Sequence, residues 1–175
     1  MIEIPRYSEG QPWVVHLASI GRMTTAQFWK VCRENPDWCF ELSAEGDLAI
    51  MPPTGGETGA RSGRVTAQLI RWADQEDGSG VVFDSSSGFE LPDGPIRSPD
   101  AAWVARAQLA QLTRSQKQKF IPLAPDFVVE FKSPTDSMRV LQAKMREYVA
   151  NTPRVADRSR LRWPRAASEQ PPRGL

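Results

Sequence analysis

The chain has 175 residues, 40% hydrophobic and 25% charged, with a net charge of +1, a balance that fits one soluble globular domain with a sizeable core. No apolar run approaches the roughly 20 residues that span a membrane, and the opening MIEIPRYSEG has neither the basic start nor the apolar stretch of a secretory signal, so the cytoplasm is the expected location. The single histidine, His16, excludes HExxH metalloprotease chemistry, multi-histidine metal sites and histidine-pair phosphodiesterases.

The pattern MTTAQFWKVCREN over 23–35 predicts a helix, with Thr24 and Gln27 as a capping box and Phe28, Val31 and Cys32 as its apolar stripe. Cys32 and Cys39 are the only cysteines; neither belongs to a CxxC pair, so both read as buried free thiols. The stretch 39–53 predicts a hairpin turning at Glu45-Gly46-Asp47 and ended by Pro52-Pro53. A Gly-rich start at 54–59 runs into an amphipathic helix from about Glu57 to Glu76; without a G-K-[ST] ending it is a turn, not a phosphate loop. Strands follow at 81–84 and 88–91, separated by three serines, and a third begins near Asp100 after Ser98-Pro99. One or two short polar helices occupy 106–120, and a strand is expected over PDFVVEFKSP, 125–134. The last helix covers 136–151, capped by Asp136 or Ser137, with Met138, Leu141, Met145 and Tyr148 as its core stripe. Trp72 and Trp103 read as packing residues. The order of elements predicts an α+β (α/β-like) fold with a mixed sheet flanked by helices.

Side chains alternate faces along a strand, so Asp126, Val128, Glu130 and Lys132 share one face while Phe127, Val129 and Phe131 form the other. An acid and a base side by side on a strand are most often an ion pair at an edge. Asp100 offers a second reading. If its strand neighbours that of Glu130, the two carboxylates can share a Mg²⁺ or Mn²⁺ ion, with Lys132 beside the water the metal polarises. Glu57 is a further candidate carboxylate. Such a set suits attack of water on a phosphodiester. Asp126 reads as a cap at the strand start.

The stretch MPPTGGETGARSGRVTAQL…VFDSSSGFELPDGPIRSPDAAWV…PDFVVEFKSPTDSMRVLQAKMREYVAN closely resembles the restriction endonuclease family often labelled Uma-two, a branch of the PD-(D/E)XK nuclease superfamily, over roughly residues 20–151. The resemblance implies a restriction-endonuclease-like core and a Mg²⁺-dependent DNA endonuclease, with a homodimer as a candidate assembly. The superfamily's proline-acid motif falls on Pro99-Asp100, its acid-x-lysine motif on Glu130-Phe131-Lys132, and its helical glutamate on Glu57. A supporting polar position on the following helix falls on Gln142 or Lys144. The implied division is an N-terminal extension over 1–22, a nuclease domain over 23–151 and a tail over 152–175. The reading from a different class is a catalytically inactive DNA- or partner-binding remnant.

The resemblance stops after Asn151. The tail holds six arginines and four prolines in 24 residues and carries a net charge of +4, leaving −3 for residues 1–151. The family continues with an apolar strand of the type LGWLIDP. A one-base shift in suitably chosen codons for Val155–Arg160 yields Leu-Leu-Ile-Asp-Pro. A frameshift is therefore the expectation, with the C-terminal strands missing, a disordered basic tail and an open sheet edge.

Overall fold

Thr24 starts the first helix as the sequence requires: its hydroxyl accepts from the Gln27 amide while the Gln27 side chain accepts from the Thr24 amide. In the computed structural model, which describes residues 12–17, 19–75, 79–132 and 136–152, this helix is α1 (Thr25–Glu34). The predicted hairpin is β2 (Cys39–Leu42) and β3 (Leu48–Met51), turning at Gly46 with φ +92°. Ahead of both lies β1 (Trp13–Val15), which pairs with β3. Part of the expected N-terminal extension is therefore built into the sheet. The long helix α2 (Gly56–Gln75) follows Pro52-Pro53.

The next strands divide between two sheets. β4 (Gly80–Asp84) pairs with β7 (Ala101–Ala105), which pairs with β8 (Phe127–Val129). β5 (Phe89–Glu90) pairs with β6 (Ile96–Arg97), which joins β2. The sheets have the orders β1-β3-β2-β6-β5 and β4-β7-β8. All these pairs are antiparallel; a parallel bridge, Phe89 with Ile121, lies outside them. The switch between β4 and β5 occurs at the serines, where the Asp84 carboxylate accepts from the amide and hydroxyl of Ser86. Two short helices, α3 (Arg106–Ala110) and α4 (Arg114–Lys117), precede β8, and α5 (Met138–Asn151) follows it. The fold class is α+β.

Strand β7 is the centre of the smaller sheet and is covered on both faces. Ala101 and Trp103 pack with Leu69 and Ala73 of α2. Ala102 and Val104 pack with Phe89, Leu91, Ile121 and Tyr148 of α5. This explains why 101–104 reads as an unbroken apolar run. The Trp72 and Trp103 rings meet edge to face at 5.4 Å, the expected packing role. A third cluster holds α1 on the larger sheet through Phe28, Leu42 and Ile96. Burial pushes the Cys32 thiol up to about 11; Cys39, contrary to expectation, is exposed.

Two further expectations changed. The strand drawn through Lys132 ends at Val129, because the Phe131 amide donates to the Asp100 side chain at 2.6 Å rather than to a backbone carbonyl. Helix α5 buries Tyr148 and half-buries Met145 and Leu141, but Met138 is exposed at its first turn. β8 is an edge of its sheet among the described residues. The expectations for 153–175, including the basic tail and the frameshift, lie outside the described residues.

Candidate active site

Register brings Asp100 and Glu130 together. Ala101 faces Val129 at the end of the β7–β8 ladder, so the residues one step beyond are Asp100 and Glu130. Pro99 is fully buried and fixes the turn from which Asp100 emerges. Both carboxylates line a cavity of about 450 Å³, together with Glu57, Ser98, Asp136 and Lys144. Its remaining lining includes Met51, Pro52, Pro53, Val140 and Leu141.

The charged groups beside this cavity are wired across both sheets and α5. Lys144 Nζ lies 2.7 Å from Glu130 Oε1 and 2.7 Å from Glu41 Oε1. Glu41, on β2, is almost fully buried, and also accepts from the Ser98 amide at 3.0 Å and from Arg97 Nη1 at 3.2 Å. Arg97 in turn forms two bonds with Glu147, through Nε at 2.5 Å and Nη2 at 3.1 Å. The Tyr148 hydroxyl donates to Glu130 Oε1 at 3.1 Å. Buried charges persist only when paired and hydrogen-bonded, and every member of this chain is.

The environment pulls the carboxyls in opposite directions. Burial raises Glu130 to about 7, with Glu41 and Asp100 adding to the rise against the opposing pull of Lys144. Burial also raises Asp100, against the Phe131 amide bond and Lys144. Burial acts on Glu41 too, but Lys144, Arg97 and the Ser98 amide outweigh it and hold the carboxyl below its usual range. Lys144 is raised because Glu41 and Glu130 overcome its desolvation. Tyr148 is raised by burial and by the same two glutamates, so it stays a neutral donor. Burial would lower Arg97, but Glu147 and Glu41 overcome it and raise the guanidinium.

The residues singled out by sequence separate clearly. Asp100, Glu130, Glu57 and Lys144 share the cavity. Glu57 is exposed at its rim and ion-paired with Arg61. Lys132 is exposed and does not line the cavity, nor does the exposed Gln142. Asp126 accepts from the Ala105 amide at 2.9 Å and from Gln108 Nε2 at 2.6 Å, a capping role. Glu41, Arg97 and Glu147 were missed. A signal existed for Glu41, an acid inside the run CFEL; of the two supporting candidates, Lys144 rather than Gln142 lies at helical spacing from Leu141 and Tyr148.

A match to a known family accompanies this geometry. The family model Uma2, described as "Putative restriction endonuclease", matches residues 25–156. The chain belongs to this family. The Uma2 match covers every residue of the cavity except Pro12, and its description supports a nuclease role in general. Among curated proteins no match was found. Restriction-endonuclease-like proteins generally use divalent metal ions. In this Uma2 member, no group of three or more His, Cys, Asp or Glu residues among the described residues is arranged to hold a metal. Two carboxylates suffice for Mg²⁺, which keeps several waters and shares substrate phosphates. The charge balance fits such an ion: among the described residues Glu41, Glu130 and Glu147 pair with Arg97 and Lys144, and with Asp100 beside them these six groups carry a formal surplus of two negative charges.

Proposed function

We propose that the protein is a DNA endonuclease that hydrolyses phosphodiester bonds with Mg²⁺ or Mn²⁺ held by Asp100 and Glu130. The observation that carries this reading is the juxtaposition of those two carboxylates at the mouth of the β7–β8 pair, with Lys144 2.7 Å from Glu130. When bound, the cation supplies a polarised water and neutralises phosphate charge. Lys144 carries three N–H donors, of which two engage Glu41 and Glu130. The third is the donor we assign to a phosphate oxygen. Tyr148 and Glu41 are positioning residues: the first orients Glu130, and the second anchors Lys144. The motif assigns the lysine's part to Lys132, but its exposure outside the cavity favours Lys144. Glu57 lines the same cavity but is exposed and ion-paired with Arg61, so it stands outside the two-carboxylate set in this reading.

Cleavage of plasmid DNA in Mg²⁺ tests the proposal. Asp100→Asn and Lys144→Gln are each expected to reduce cleavage at least about 100-fold, while Lys132→Gln has a much smaller effect. Asp100→Asn should retain DNA affinity in Ca²⁺ and lose the thermal stabilisation that Mg²⁺ gives the parent protein. Full cleavage by Asp100→Asn would move the chemistry elsewhere. One observation favours a silent DNA-binding module instead: Glu130 is already engaged by Lys144 and Tyr148. That reading requires DNA binding without any metal-dependent cleavage by the parent protein.

A further inference from the structure

Helix α2 does more than cover β7. Glu57, Arg61, Arg64, Gln68, Arg71 and Gln75 recur at spacings of three and four, so they occupy one face of the helix. All six are exposed, whereas the face that meets β7 carries Leu69 and Ala73. The first member, Glu57, lines the cavity, and Arg61 is ion-paired with it. The row therefore begins at the candidate site and leads away from it. From Arg61 to Arg71 it runs about 15 Å, at 1.5 Å per residue.

The charge on this face stands out because residues 1–151 together carry a net charge of −3. Among the described residues Arg64 and Arg71 take part in no ion pair. An exposed guanidinium with no carboxylate partner gains most from a doubly accepting phosphate oxygen pair. Gln68 and Gln75 interleave neutral donors suited to the same oxygens. About 15 Å is the axial length of roughly four nucleotides at 3.4 Å per step. The row is thus long enough to follow one strand over several phosphates.

We propose that this face of α2 is a phosphate track that guides one DNA strand into the cavity. The track rests on the endonuclease reading for its substrate, and binding measurements separate the two. Anisotropy of a fluorescein-labelled DNA duplex, titrated with protein in Ca²⁺ across a salt series, gives the number of phosphates neutralised. Arg64→Gln/Arg71→Gln should weaken binding and reduce the slope of log K against log salt by about 1.8, at 0.9 per phosphate contact. Arg114→Gln/Lys117→Gln on α4 removes the same charge from another exposed surface and should leave the slope nearly unchanged. An unchanged slope in the α2 variant, an equal change in both variants, or no DNA binding by the parent protein would each overturn the track. Binding that depends on Arg64 and Arg71 in a protein that never cleaves DNA would keep the track and remove the endonuclease reading. Cleavage indifferent to both arginines would do the reverse.

Discussion

Gly80 shows how much one absent side chain can matter. A Cβ at this position would fall inside the indole ring of Trp103, whose Nε1 is buried without a hydrogen-bond partner. The β4–β7 pair can close only because residue 80 has nothing to insert. Gly80→Ala should therefore destabilise the protein by about 3 kcal/mol, the upper range for overpacking a core. Gly63 provides the contrast, since it lies within α2 with nothing within 4 Å of an added Cβ. Gly63→Ala should stabilise by about 0.5–1 kcal/mol, through helix propensity alone. Urea denaturation of the two variants reads both signs, and equal effects would mean that Trp103 moves aside.

Among the elements, β6 carries more consequence than its two residues suggest, because Arg97 joins Glu41 of β2 to Glu147 of α5. Arg97→Leu leaves the buried Glu41 carboxylate of β2 and the half-buried Glu147 carboxylate of α5 without their shared cation. The expected loss is about 3–5 kcal/mol, measured as a fall in the urea midpoint; a loss below about 1 kcal/mol would mean that water reaches both glutamates. Sequence periodicity could not have found this strand, since PDGPIRSP contains no alternation long enough to register. The capping box of α1 and the amphipathic face of α2 were legible because their signals are local. The separation of β4 and β5 into different sheets was not, because nothing within VVFDSSSGFE states which partner each strand finds. For the candidate site, Asp100 and Glu130 were legible as two acids on successive strands, and through the resemblance that set the proline-acid and acid-x-lysine motifs on them. The placement of Lys144 rather than Lys132 in the cavity was not, since it depends on the Asp100 carboxylate capturing the Phe131 amide and ending β8 early.

The whole molecule depends on α5, whose Tyr148 packs among Phe89 and Leu91 on one side and Ala102 and Val104 of the other sheet. Its Lys144 and Glu147 hold Glu41 and Arg97 of the larger sheet, and its Lys144 and Tyr148 hold Glu130 beyond the smaller one. The two sheets therefore share a core and an ion network, and neither should melt alone. Tryptophan fluorescence and far-ultraviolet circular dichroism are expected to report one coincident urea transition. Two separated midpoints would show that α5 couples the sheets weakly. The pairing of Glu41 with Lys144 also spans 103 positions of the chain. Contacts so distant in sequence form late, after the loops between them have closed. During synthesis, a growing chain carries Glu41 and Asp100 well before the ribosome releases the helix that supplies Lys144, and Glu130 shortly before it. An unfinished copy thus has the acids of the cavity but not its lysine, and the proposed DNA cleavage is withheld until the last described helix has emerged and docked.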